Sequence, residues 1–565
     1  MTDVAAERLA DEYWAYHRST AQFWNIDRGD LEQLEFWEDL SPNGVAARRA
    51  RLDEFAGSAE ASSRFLTGDR TSAMTAAVGF SAKASAATLP YVRDVTLVSG
   101  VFNLPEFLTS MVPAYGLTTM AHGEGYLAKL RSFPSFVSGW SAGLREGASL
   151  GRTATARGVA KCVAELDAIL ATGASHDPLA DQCPPSESSE RESAAWRSEV
   201  IEAIESKVRP ALARLRSMLH DEILPFARPD ERAGICHLVS GTEDYETLLY
   251  AATSTSLTSN QVHDIGMERI AMLDDEYRRR GSAALSLDDP PEIRARLRDD
   301  VSLRYSTAQE IRADAEAAIA RAQSIAPDWF SRLPAASCEA VAISGSAMAY
   351  YNGPSPDGAR GGTFRYSTAD PSAWTRCNLE VTTFHESVPG HHLQIALALE
   401  LDLHPVLGEL EVTSYAEGWG LYAERLADEM SLYSGPLQQL GMVTLDSLRA
   451  ARLVVDTGLH ARGWTRDRSI KYLLDNTALT LDNATSETDR YIADPGQATS
   501  YMIGRIELER LRALATTRLG NRFRLSDFHD VVIGGGMMPL DALARSINTW
   551  SDAEVNNRPD ESGAR

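Results

Sequence analysis

Three histidines and a glutamate fall within eight residues in the stretch Phe384-His-Glu-Ser-Val-Pro-Gly-His-His-Leu-Gln394, in a chain that holds only 12 histidines. Imidazole nitrogens are good zinc ligands. In the H-E-x-x-H arrangement two histidines one helical turn apart hold the ion, and the glutamate between them activates a water. Here the spacing is stretched. His385 and Glu386 stand in place, but the position of the second histidine holds Pro389, and histidines follow at 391 and 392.

On a regular helix, with about 100° of turn and 1.5 Å of rise per residue, His391 would point away from His385. His392 would share its face but lie about 10 Å along the axis, too far for zinc–nitrogen bonds of about 2.0–2.1 Å. Pro389 has no N–H to return to the carbonyl of His385, and Gly390 tolerates backbone angles that other residues resist. The pair predicts a break or bulge in the helix. A bulge absorbing two residues brings His391 to the metal, and one absorbing three favours His392; the expected ligand is His391, with His392 facing substrate or core. Pro-Gly is also the ordinary way to end a helix.

A catalytic zinc needs a third protein ligand and one open position. Glu417, in Thr413-Ser-Tyr-Ala-Glu-Gly-Trp-Gly-Leu-Tyr-Ala-Glu-Arg, lies 32 residues after His385 on the next long helix and would complete a two-histidine, one-glutamate set. Glu424, about two turns further on, can orient a ligand from behind or sit on a solvated face. Zn²⁺ is therefore the expected cofactor, and Glu386 the general base.

The elements that must position these residues are largely helical. Apolar residues recur at three- and four-residue spacing over 4–22, 44–66, 119–148, 152–171, 195–218, 260–280, 307–323, 391–402, 414–430, 436–465, 467–474 and 500–518. Ser256-Leu-Thr-Ser-Asn-Gln-Val-His and Thr465-Arg-Asp-Arg read as capped helix starts. Strand signals are confined to Ala340-Val-Ala-Ile-Ser and Gly362-Thr-Phe-Arg-Tyr-Ser-Thr, just ahead of the histidine motif, which predicts a small β-sheet beside the metal helix. The second segment is the expected edge strand for an extended peptide, with Asn352 and Arg360 lining the same cleft or simply holding a turn. The segment 181–190 reads as a loop.

At these residues the chain resembles the bacterial domain-of-unknown-function 885 (DUF885) family, which is placed with the gluzincin metallopeptidases. The resemblance rests on His385-Glu-Ser-Val-Pro-Gly-His-His-Leu-Gln and Ala416-Glu-Gly-Trp-Gly-Leu-Tyr-Ala-Glu. It extends to Glu124-Gly-Tyr-Leu-Ala-Lys-Leu-Arg, Tyr350-Tyr-Asn-Gly-Pro-Ser-Pro-Asp-Gly-Ala-Arg, Val455-Asp-Thr-Gly-Leu-His-Ala-Arg-Gly-Trp and Pro495-Gly-Gln-Ala-Thr-Ser-Tyr-Met-Ile-Gly. It implies a mostly α, large helical gluzincin-like fold with a deep cleft, and a glutamate on a following helix as third zinc ligand. The expected division is a helical N-terminal half, 1–325, a catalytic half, 326–550, and a polar tail, 551–565.

The implied activity is zinc-dependent hydrolysis of short peptides, with Glu386 passing the water proton to the leaving amine. Hydrolysis of a non-peptide amide, or peptide binding without turnover, are the alternatives. A tetrahedral oxyanion needs a donor opposite the metal. Tyr501 is the first candidate and His460 the second, although the first can pack at a helix start and the second can be a satisfied core histidine. Arg505, one turn after Tyr501, can hold a substrate carboxylate or a structural ion pair.

Composition excludes other classes. A net charge of −24, from 55 basic and 79 acidic residues among 565, repels nucleic acid and anionic membranes. An apolar fraction of 44% supports a sizeable core. The first residues lack the basic and apolar regions of a signal peptide, and the five scattered cysteines read as reduced thiols. Together these predict a cytoplasmic protein with no membrane partner.

Overall fold

The computed structural model describes residues 3–20, 31, 34–63, 69–95, 104–106, 108–109, 112–343, 349–355 and 360–557. These residues are mostly helical, with one small sheet. Six helices build the site: α1 (Ser259–Leu285), α2 (Asn378–Glu386), α3 (His391–Glu400), α4 (Thr413–Glu429), α5 (Pro436–His460) and α6 (Ser500–Leu519). The caps read from the sequence are in place. Thr258 accepts from the Gln261 N–H in a capping box at the start of α1, and Thr465 accepts from the Arg468 N–H.

The sheet has the order β1 (Cys338–Ile343), β3 (Gly362–Ser367), β2 (Ala349–Asn352). Strand β1 runs parallel to β3, with Cys338 opposite Gly362, and β2 runs antiparallel to it, with Tyr351 opposite Phe364. The Gly362–Ser367 strand is thus central, not the expected edge. Both its sides are already hydrogen-bonded, so it cannot accept an extended peptide by strand addition. The last residue of the first strand signal, Ser344, and residues 356–359 before Arg360 lie outside the described residues.

Among the described residues, the hydrophobic side chains form four cores. One joins Tyr13, Phe55 and Val78 to Phe384, Leu393, Trp419 and Phe528. Another joins Leu249, Val262 and Ile270 to Leu421, Leu453 and Met502. Both draw residues from either side of position 325, which is the last residue of the helix Ala308–Ile325. Position 325 therefore lies within a molecule whose cores are shared across it. A third core lies wholly within residues 34–245. Helix Leu540–Asn557 carries residues 551–557, which the sequence reading assigned to the polar tail, and 558–565 lie outside the described residues. Among the described residues, no helix is long and apolar enough to cross a membrane. The five cysteines are free.

Candidate metal centre

Of the expected break or bulge, the histidine motif is the break, lying between two helices. Helix α2 ends at Glu386, Ser387-Val388-Pro389-Gly390 form a turn with a cis Val388–Pro389 bond, and His391 is the first residue of α3. The turn is tied at both ends. The Ser387 N–H donates to the Thr383 carbonyl at 2.8 Å, and the His392 N–H donates back to the Ser387 carbonyl at 3.2 Å. The indole N–H of buried Trp419, on α4, donates to the carbonyls of Pro389 and Gly390 at 3.0 and 3.2 Å, so these inward-facing groups are satisfied. A Cβ at Gly390 would collide with the carbonyl of His385, which is why glycine is needed at this close approach.

The break brings the two rings together. His385 and His391 lie 4.7 Å apart between ring centroids and almost perpendicular, at 89°. Glu417 meets both: its Oε2 is 3.5 Å from His385 Nε2 and 3.6 Å from His391 Nε2. Among the described residues, these three form the one group of metal-ligating side chains whose ligand atoms all lie within 4.8 Å of one another. His392 turns elsewhere. Its Nε2 donates to the Ala336 carbonyl at 3.1 Å, which leaves Nδ1 to accept from the Tyr351 hydroxyl on β2 at 2.9 Å. The sheet beside the motif therefore fixes the second histidine away from the centre.

Two glycine contacts set the placement of Glu417. Helices α4 and α6 touch where an added Cβ on Gly418 would lie 2.6 Å from the Gly504 backbone, and Glu417 precedes that contact by one residue. Gly420, on the other side, lets the His385 ring lie against the α4 backbone, at 2.6 Å from where a Cβ would stand.

A second layer holds the first. His385 Nδ1 donates to Glu424 Oε1 at 2.9 Å, and Glu424 is fully buried. This fixes the tautomer that leaves Nε2 facing Glu417 and His391. Arg449, on α5, reaches the same Glu424 oxygen at 3.4 Å, and the Tyr433 hydroxyl donates to the Glu424 carbonyl. Arg449 and Tyr433 went unnoticed because no local signal ties them to Glu424, and Tyr351, although inside the Tyr350–Arg360 motif, carries no mark of its tie to His392, 41 residues on. Trp419 and Gly420 lie inside the Ala416–Glu424 motif but announce no role by type alone.

Electrostatics follow from burial and proximity. Burial alone would raise the Glu417 carboxyl, but the two imidazoles hold it well below the usual carboxylate range. Its Oε2 has no hydrogen-bond partner among the described residues. Burial pushes Glu386 up, against the lowering pull of His385, His391 and Arg449. Burial, with a further push from the charge of Glu417, raises Tyr501 to about 12, so it is a protonated donor within electrostatic reach of Glu417. The guanidinium of Arg452 lies 4.7 Å from the Tyr501 ring centroid.

Two other candidates are absorbed by the core. His460 accepts from the Ile235 N–H at Nδ1 and donates from Nε2 to the Tyr491 carbonyl, fully buried, with burial lowering it to about 3. No N–H remains for an oxyanion, and His460 is withdrawn as a donor. Arg505 is buried in an ion pair with Asp446 and reaches Glu509 at 3.3 Å, the structural role. Arg360 donates to the Asn352 side chain and to the Gly361 carbonyl, so this pair holds the turn before β3.

The model of the DUF885 family, described as "Bacterial protein of unknown function", matches residues 24–547. The chain belongs to the DUF885 family. A "putative lipoprotein" from Colwellia psychrerythraea superposes with a TM-score of 0.88 at 23% identity, over 97% of this chain and 99% of that one. A "putative lipoprotein of unknown function" from Shewanella oneidensis gives 0.72 at 16% identity, over 95% and 98%. These two structures share the fold. A Pyrococcus furiosus carboxypeptidase superposes at a TM-score of only 0.31 and 12% identity. No curated protein matches. The expectation of a cytoplasmic protein is corrected here: both proteins that share the fold carry a description that places them with lipid-anchored proteins.

Proposed function

We propose that this DUF885 protein is a zinc-dependent metallopeptidase of gluzincin type acting on short peptides. The observation that carries the reading is the meeting of His385 Nε2, His391 Nε2 and Glu417 Oε2. Four ligands placed tetrahedrally about 2.0–2.1 Å from zinc lie roughly 3.3–3.5 Å from one another. The measured separations of 3.5 and 3.6 Å match that spacing and are long for hydrogen bonds. The donor set of two imidazoles and one carboxylate suits zinc, and a Glu417 oxygen lacking any other partner fits a ligand awaiting an ion.

A Zn²⁺ held by these side chains supplies Lewis-acid activation of a water and of the scissile carbonyl. Glu386 follows His385 directly, and its raised pKa suits it to take the water proton and return it to the leaving amine. Tyr501 donates its hydroxyl hydrogen to the developing oxyanion, and burial keeps that proton in place at neutral pH. Glu424 keeps His385 in the ligating tautomer. The side chains of Glu417 and His391 keep 20% and 12% exposure against 5% for His385, so the centre opens on their side.

The test is metal content and hydrolysis of a panel of short peptides and non-peptide amides. One zinc per chain is expected, with peptide turnover that falls about 10²–10⁴-fold in Glu386→Gln while zinc stays bound. No zinc, or unchanged turnover in that variant, contradicts the reading.

A further inference from the structure

Beside Tyr501 lies a charge cluster that the hydrolytic chemistry does not use. Arg452, on α5, donates from Nε and Nη2 to Glu487 Oε2 at 3.1 and 2.9 Å, and from Nε to the Tyr491 hydroxyl at 3.2 Å. Arg490 donates from Nη2 to the same Glu487 oxygen at 3.2 Å and from Nη1 to Gln497 Oε1 at 2.7 Å. Two guanidiniums thus share one carboxylate. The Arg452 side chain is only 9% exposed, and its Nη1 is buried with no acceptor among the described residues. Asp494 and Asp456 also lie within electrostatic reach of Arg490, and burial raises them to about 6 and about 7.

The position matters as much as the charge. Arg452 follows Arg449 by one helical turn, and Arg449 touches Glu424 behind the metal centre. The Tyr501 ring packs on the Arg452 guanidinium and feels the charge of Glu417. The cluster therefore flanks the centre on the Tyr501 side. Arg490, with a fifth of its side chain exposed, carries it to solvent. A buried guanidinium N–H without an acceptor is costly, and a carboxylate is its natural partner, bound by short charge-assisted hydrogen bonds.

We propose that the Arg452–Arg490 pair receives the free α-carboxylate of the substrate, making the site one for small peptide acids cleaved within a residue or two of their C-terminus. This rests on the hydrolytic reading of the same centre. It gives the carboxylate-binding role, one of the two open to Arg505 in the sequence, to the arginine that has a donor to spare.

The test is calorimetry on the Glu386→Gln protein, supplemented with zinc, using an N-acetylated dipeptide and its C-terminal amide. The free acid is expected to bind about 10- to 100-fold more tightly than the amide. Arg452→Gln on the same background should abolish the preference. Arg452→Lys, which keeps a cation against Glu487, should retain part of it and guards against a folding artefact, with the melting temperature of each variant as control. Equal affinity for acid and amide, no binding of either, or a preference that survives Arg452→Gln overturns the proposal. Failure of the hydrolytic reading shows separately, as absent zinc or absent turnover in the unsubstituted protein.

Discussion

Replacing Gly420 with alanine should empty the metal centre without unfolding the protein. An alanine Cβ at this position would stand 2.6 Å from His385 Cε1, 2.8 Å from Nε2 and 3.0 Å from Nδ1. Carbon atoms in ordinary contact lie about 3.5–4.0 Å apart, so roughly 0.9 Å must be found at Cε1. Helix α4 cannot retreat to provide it. Trp419 is fully buried and hydrogen-bonded to the turn before His391, and Gly418 is already against Gly504. The imidazole must move instead. A zinc ligand tolerates displacement of about 0.2 Å, so His385 Nε2 leaves ligating position. Zinc affinity should fall by more than the roughly 10- to 100-fold lost when only an outer partner of a ligand is removed. Overpacking costs about 1–3 kcal/mol, offset in part by the roughly 1 kcal/mol by which alanine favours a helix over glycine. The assay is competition for zinc against a chelator of known affinity, with circular dichroism melting in parallel. Zinc affinity within about twofold of the unsubstituted protein would refute the reasoning.

Three further outcomes are expected. Glu424→Gln should weaken zinc binding by about 10- to 100-fold, because His385 loses the carboxylate that fixes its tautomer; undiminished affinity would show that this bond does not support the ligand. Tyr501→Phe should lower kcat by about 10²–10³-fold, with zinc content and KM little changed, and a kcat within twofold would remove Tyr501 from the chemistry. The third concerns acid stability. The folded protein keeps His460 neutral down to about pH 3, whereas the unfolded chain protonates it below about 6.5, so the unfolded state binds more protons and stability falls as pH drops below 6.5. Between pH 6.5 and 5 this one group accounts for roughly 2 kcal/mol, and His460→Gln should flatten the acid limb of a denaturation series by that amount; an unchanged limb would contradict the assignment.

How much was legible in the sequence can be seen at particular residues. The anomaly of Pro389-Gly390 announced a distorted backbone, because neither residue sustains a regular helix. The choice between His391 and His392 was not legible, since His392 is captured by Tyr351 and the Ala336 carbonyl, about 40 and 56 positions away in the chain. Tyr501 and His460 looked alike as lone polar residues near helix ends, and only the fold separates a tyrosine beside Glu417 from a histidine tied at both nitrogens. Arg505 carried no mark of its partner Asp446, which lies on another helix. Strand β3 reads as a strand from its residues, yet its central place depends on a parallel pairing with β1 that local pattern does not encode. Among helices, Asp69–Asp94 was missed because alanine, serine, threonine and glycine make up much of it and leave no apolar stripe, although its packing buries Ala77, Val78 and Ala82 completely.

The most direct measurement is anomalous diffraction at the zinc absorption edge from crystals grown with added zinc. The account predicts a single site, with His385 Nε2, His391 Nε2 and a Glu417 oxygen at about 2.0–2.2 Å and His392 still bonded to Tyr351. An absent peak, or a zinc bound through His392 or away from Glu417, would contradict it.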